Sequence, residues 1–184
     1  MRKSCLVLLF FIETLLFFSC SLNYFQNENS EALIPEFTFR NARYARYEND
    51  KKSLWLEAAV LEQYKSDNAV FSKDVRFESF DSDGGMITSG ECRLLSADSK
   101  KEIYTMFGDV RVDLHKQEMR IHAGSLSFNK RSEQLVSDRA DEVRVQKKDL
   151  SVSGYGFSAS GVSRTFAFFG EVSGLIQNED GEPE

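Results

Sequence analysis

A turn-forming or polar residue, an acid and a valine follow one another four times in this chain. The copies are Lys73-Asp74-Val75, Gly108-Asp109-Val110, Asp141-Glu142-Val143 and Gly170-Glu171-Val172, at intervals of 35, 33 and 29 residues. Around them apolar and polar residues alternate. Val75 and Phe77 alternate with Arg76 and Glu78. Val110, Val112 and Leu114 alternate with Asp109, Arg111 and Asp113. Val143 and Val145 alternate with Arg144 and Gln146, and Phe166 and Phe168 keep the same spacing. Period two is the mark of strands with one apolar and one wet face.

Four segments align on this pattern. Each opens with an alternating strand that holds a small residue (Ala58, Gly90, Ala123 or Gly154) and continues through a polar turn into a second apolar strand. The acid and valine close it. Turn chemistry lies at Ser82-Asp83-Gly84-Gly85, Asp98-Ser99-Lys100-Lys101, Asn129-Lys130-Arg131-Ser132 and Ser160-Gly161-Val162-Ser163. The chain is therefore an internal repeat of hairpin-like units, each roughly 30 residues long. One unit cannot bury its apolar face; stacked units bury a continuous one. Each buried Val or Phe contributes ~1.5–3 kcal/mol. The acid is expected to sit in the turn or bulge that starts each outer strand, with the valine as its first inward residue. Helical propensity competes only at 54–64, "LWLEAAVLEQY", where Leu54, Leu56, Ala58 and Val60 alternate and allow a strand equally. The fold class is all-β and antiparallel. A closed sandwich would fill its interior with its own side chains, whereas a partly open one leaves an apolar groove.

The 184 residues suggest one domain. The first twenty, "MRKSCLVLLFFIETLLFFSC", differ from the rest. Arg2 and Lys3 precede an apolar run from Leu6 to Phe18, interrupted by Glu13 and Thr14. Crossing a bilayer takes ~20 apolar residues, so a secretory signal is the better reading of 1–19. Ser19-Cys20 after that run resembles a bacterial lipoprotein signal, with Cys20 as the lipidated residue. An uncleaved short anchor and a soluble secreted form are the alternatives. Residues 20–35, polar and Asn-rich, read as a tether; 36–176 are the folded body; 177–184, "QNEDGEPE", are an acidic tail. With Cys5 removed and Cys20 acylated, Cys92 is a single thiol, and the core rather than disulfides must hold the fold.

Several chemistries find little support. A net charge of −6 argues against a nucleic-acid partner. No P-loop occurs, so the chain does not itself drive transport with ATP. Gly154-Tyr155-Gly156-Phe157-Ser158-Ala159 matches G-x-G-x-x-A, but "SGVSRTFAFF" follows it with a turn and a strand where a dinucleotide site needs a helix. His115 and His122 are the only histidines and flank a turn; a zinc site would need a third ligand, with Asp113 or Glu118 nearest. No nucleophile elbow appears. Cys92 reads as a small core side chain and Trp55 as a packing residue. No cofactor, metal or catalytic residue is expected. A transmembrane barrel would need outward apolar faces over ~9–11 residues, and the alternating runs look too short and too charged.

The stretches "IPEFTFRNARYARYENDKKSLWLEAAVLEQY" (34–64), "FGDVRV", "LSFNKRSEQL" and "GYGFSASGVSRTFAFFGEVSG" resemble the LptC family, and more broadly the OstA-like proteins that share its fold. The likeness spans roughly residues 34–176 and lies in a periodic pattern rather than in one motif. It implies an open, twisted β-jelly roll whose interior binds the acyl chains of lipopolysaccharide or a related envelope glycolipid. It also implies a periplasmic, non-enzymatic protein held at the inner membrane, with an ABC transporter and a soluble OstA-like bridge protein as partners. Family members carry a transmembrane helix where this chain has a lipoprotein-like start. The groove candidates are Val75, Phe77, Val110, Val112, Leu114, Val143, Val145, Phe166 and Phe168. The competing expectation is an envelope lipoprotein with a fully packed sandwich that binds a protein.

Overall fold

A computed structural model of the chain describes residues 34–64 and 69–176. The expected signal and Cys20, most of the tether, and the tail lie outside these residues. The described chain is almost entirely antiparallel strand: β1 (Phe37–Glu48), β2 (Lys51–Gln63), β3 (Ala69–Phe80), β4 (Met86–Asp98), β5 (Ile103–Leu114), β6 (Met119–Asn129), β7 (Gln134–Val136), β8 (Glu142–Lys147), β9 (Leu150–Tyr155), β10 (Phe157–Ser160), β11 (Thr165–Phe168) and β12 (Val172–Ile176). The segment that balanced between helix and strand is β2. Asn49 and Asp50, both left-handed, make the two-residue turn that joins β1 to β2.

Strands β1 to β6 pair in sequence order, and after β6 the sheet divides. One end of β6 pairs with β7, the other with β8. β7 leads to β10 and β11, and β8 leads to β9 and β12. Each later pair, β7/β8, β9/β10 and β11/β12, is thus one long strand broken near its middle. The whole is a nine-crossing meander, creased along a line that every crossing traverses. It is an open sheet, consistent with an open jelly roll and not closed into a barrel.

The crease is where the acids lie. Asn41, Asp74 and Asp109 have φ of 50°, 51° and 50°, and Gly108 and Gly156 have 75° and 65°. Pairing shifts beside Gly108-Asp109 on both flanks of β5. Such extra residues bend a strand and sharpen its twist. The alternation slips on the other long strands, while β5 with its extra residue steps by four from Met106 to Val110 and keeps its parity. Inner-face positions step by three, from Phe39 to Ala42, Ala58 to Leu61, Ser72 to Val75, Cys92 to Leu95 and Ala123 to Leu126. The slip keeps apolar side chains on one side of the sheet in both halves. We call these the valine half, with Val75, Val110 and Val143, and the leucine half, with Leu61, Leu95 and Leu126.

The expected place of the acid therefore holds for two copies and needs correction for two. Glu142 opens β8 with Val143 next, and Glu171 stands just before β12, which opens on Val172. Asp74-Val75 and Asp109-Val110 lie in mid-strand instead, because β3 and β5 run unbroken through the crease. The apolar runs looked short for the same reason. β1 to β6 are 11 to 13 residues long, and the slip cuts every pattern but that of β5 in two.

Left-handed backbone costs a side-chain-bearing residue ~1–2 kcal/mol, and Asp or Asn bears it better than a β-branched residue. Asp74→Val is expected to destabilise the domain by at least that amount, a loss of a few degrees in Tm, whereas Asp74→Gly holds or raises Tm. Thermal unfolding of both variants checks this.

Candidate functional site

The inner face is built of rows that run across the sheet. Next to the crease in the valine half the row reads Ala42, Ala58, Val75, Cys92, Val110, Ala123, Val143, Gly154, Val172. From Ala58 onward small and large residues alternate, which lets neighbours interlock where the sheet bends. The small residue anticipated at Gly90 belongs one row further out; Cys92 takes that place beside the crease. The second row reads Tyr44, Leu56, Phe77, Gly90, Val112, Ile121, Val145, Val152, Gly174. A Cβ on Gly90 would meet the Phe77 ring at 2.5 Å and the Arg111 carbonyl at 2.6 Å, so Phe77 occupies the space above this glycine.

All nine groove candidates face inward. Val75, Val110 and Val143 share the first row, and Phe77, Val112 and Val145 the second. Leu114 lies in a third row with Arg46, Leu54 and Met119. Phe166 and Phe168 lie in the leucine half, packed around Phe157 at ring-centroid distances of 6.1 and 5.5 Å. Val75, Val110, Val143 and Val145 have almost no accessible surface and touch other side chains. Phe77, Leu114, Phe166 and Phe168 are only partly covered. Leu95, Met106, Ile121, Leu126 and Phe157 belong to the same buried cluster, although the sequence reading passed over them. Leu95 and Leu126 lie beyond the slip at the crease, whereas Ile121, two positions from Ala123, and Met106, four from Val110, keep plain alternation.

At the β1 edge the rows reach solvent. Phe39, aligned with Leu61, is 52% exposed, and Tyr44, aligned with Leu56, is 47% exposed. Phe37 stacks on Phe39, with centroids 6.3 Å apart. Among the described residues β1 pairs only with β2, and at the far side β11 and β12 each have one neighbour. Val172, Leu175 and Ile176 on β12 are exposed, as is Phe169 just before it.

The outer face of the valine half is charged. Arg43, Glu57, Arg76, Glu91, Arg111, His122 and Arg144 align strand by strand in one row. Arg43 pairs with Glu57 at 2.7 Å, and Arg111 with Glu91 at 2.8 Å and Asp109 at 2.9 Å. His122 bonds Asp109 at 2.9 Å, while His115, in a short 3-10 turn, bonds Ser89 at 2.9 Å. The two histidines thus sit in separate hydrogen bonds, and the described residues hold no group of three metal-ligating side chains. Trp55 lies on this outer face too, in a shallow hollow of about 760 Å³ that Glu78, Arg111 and Gln146 also line. Burial pushes the Cys92 thiol up to about 11, so it stays protonated and inert. Gly154 to Ala159 pass from β9 through the Gly156 bend into β10, with no helix after them.

No family model matches this sequence, and no curated protein matches it.

Two tests follow from this geometry. Gly90→Ala forces a Cβ against backbone and should cost ~1–3 kcal/mol in urea unfolding. The hydrogen bond from His122 and the charge of Arg111 hold the Asp109 carboxyl below its ordinary range. A lowered carboxylate adds stability that is present above its unfolded pKa and lost as pH falls through its folded one. Asp109→Asn keeps a residue that tolerates the left-handed bend. Wild type should therefore melt above this variant at pH 7, and the gap should close as the pH falls below the ordinary aspartate range, about 3.9.

Proposed function

We propose that this chain is a non-enzymatic lipid-transfer component of a bacterial envelope. It receives lipopolysaccharide or a related glycolipid from an inner-membrane ABC transporter and passes it toward the outer membrane. In this reading Cys20 carries the lipid that anchors it on the periplasmic side of the inner membrane. The observation that carries the proposal is the uncovered apolar face at β1. Phe37, Phe39 and Tyr44 continue inner rows that are sealed further along, so an acyl chain laid there lies against the same face as the core. Exposing acyl chains to water costs ~0.8 kcal/mol per CH₂, and a multi-chain lipid would lose tens of kcal/mol if bare. A covered apolar path removes most of that cost, while a partner ATPase gives direction. The unpaired edges of β1, β11 and β12 supply backbone donors and acceptors for strand addition by a similar sheet, which is how a soluble bridge protein would join. The resemblance to the LptC family supports the same assignment.

The second reading is a structural or protein-binding envelope lipoprotein. Val75, Val110, Val143 and Val145 favour it, because their packing leaves no room for a ligand among them.

Photo-crosslinking separates the two. A benzoylphenylalanine at Phe39 or Tyr44 should capture envelope lipid in cells, whereas one at Arg43, which faces outward on the same strand, should not. Equal labelling at Arg43 and Tyr44, or lipid at neither, counts against transfer. Mass spectrometry of the chain purified from native membranes then identifies the lipid, any acylation of Cys20 and the accompanying transporter subunits.

A further inference from the structure

The two ends of the domain differ in charge and in what enters them. β1 begins at the outer end of the leucine half, where Phe37 faces Gln63, so the chain preceding Ile34 joins the domain there. Among the described residues three hairpin tips share this end: 98–102, 129–133 and 161–164. They are tied to one another. Arg131 Nε donates to Glu102 at 2.9 Å, and its Nη2 donates to the Lys100 carbonyl at 2.9 Å. The Lys130 amide donates to the Glu102 carbonyl at 3.0 Å, and the Gly161 amide to the Glu133 carbonyl at 2.8 Å.

The acids of this platform are largely turned to its own use. Asp98 accepts from the amides of Lys100 and Lys101 and pairs with the Lys101 ammonium at 2.9 Å. Glu102 is taken by Arg131, and Glu133, the third acid of the platform, is exposed. Among the described residues no carboxylate makes an ion pair with Lys100, Lys130 or Arg164, all of which are exposed. Val162 stands out from the third tip, 76% exposed. Glu36 and Glu62, at the same end, lie on the β1–β2 side. The turns at the opposite end carry five acids, Asp50, Asp81, Asp83, Glu118 and Asp149, against Lys116 and Lys148.

A laced, cation-bearing platform with one projecting apolar side chain fits a bilayer surface rich in anionic headgroups. We propose that the three tips dock on anionic phospholipid, seating the domain on the membrane by its leucine-half end with its acidic end outward. This rests on the reading that residues before Ile34 anchor the chain in a bilayer. Only residues 21–33 separate Cys20 from Ile34, a span of at most ~50 Å, so an anchored domain meets the surface at high effective concentration.

The test uses the full chain in vesicles whose acyl chains are brominated. Trp55→Phe removes the only tryptophan, and Val162→Trp places a probe on the platform. V162W emission should be quenched in vesicles containing phosphatidylglycerol and recover in pure phosphatidylcholine or at 1 M salt. Neutralising three cations in K100Q/K130Q/R164Q should shift the docked equilibrium roughly 100-fold and abolish quenching, while flotation with vesicles and the melting temperature are retained. A probe at the far end, Asp83→Trp, should stay unquenched. Quenching that ignores headgroup charge, survives the triple substitution or appears equally in D83W overturns the docking. A chain that floats but leaves V162W unquenched overturns the docking alone; one that never floats overturns the anchor as well.

Discussion

The sheet's bend depends on a slip of one residue in the side-chain alternation of β1 to β4 and β6, while β5 carries one residue more and keeps its parity from Met106 to Val110. A strand's period is two, so a sheet that simply creased would keep its apolar side only by adding or dropping a residue at the crease. This chain steps its inner positions by three on β1 to β4 and β6, with left-handed Asn41 and Asp74 on two of them, steps by four through Gly108-Asp109 on β5, and breaks the later crossings outright at 137–141, Gly156 and 169–171. The left-handed conformations are the local cost. In return the Val75, Val110 and Val143 rows and the Leu61, Leu95 and Leu126 rows join into one buried cluster.

The same slip decides what was legible in the sequence. The fold class, the repeat and the inward parity of Val110, Val112, Val143 and Val145 follow from alternation alone, and each of these residues does point inward. Ile121 and Met106 keep the parity of Ala123 and Val110 and were within reach of the same alternation, whereas Leu126 and Leu95 lie just across the crease. Leu126 is three positions from Ala123, and Leu95 three from Cys92, so a period-two reading loses them. The slip also explains the helical temptation in 54–64. Leu54, Ala58 and Leu61 stand at i, i+4 and i+7, a helical spacing that a bulged strand imitates. A further copy of the repeat went unnoticed because Asn41-Ala42 has an amide for the acid and a methyl for the valine, although it lies 33 residues before Asp74. Trp55 shows the opposite limit, since an aromatic in an alternating run was assigned to packing, yet its parity sends it to the wet face.

Charge and apolar surface divide the two faces cleanly. The outer row from Arg43 to Arg144 spends most of its charges on neighbours one strand away, pairs that are exposed and individually worth ~0–1 kcal/mol. Their effect on stability is small beside that of the inner rows. Their effect on pairing is larger, since a strand shifted by two residues would set Arg76 against other partners and carry Asp74 off the crease. The wet face thus guards the alignment of a sheet whose dry face would tolerate several.

The alternation of small and large residues beside the crease has a consequence for how such a chain can change in length. Valines come from the crossings that run one way and Ala58, Cys92, Ala123 and Gly154 from those that return. Each hairpin therefore brings its own knob and its own socket. Gain or loss of a whole hairpin would leave the interlocking row continuous, whereas a single extra crossing would set valine against valine. The sheet is a ribbon whose natural unit of growth is two strands, and its width is free to vary in steps that the bend itself does not resist.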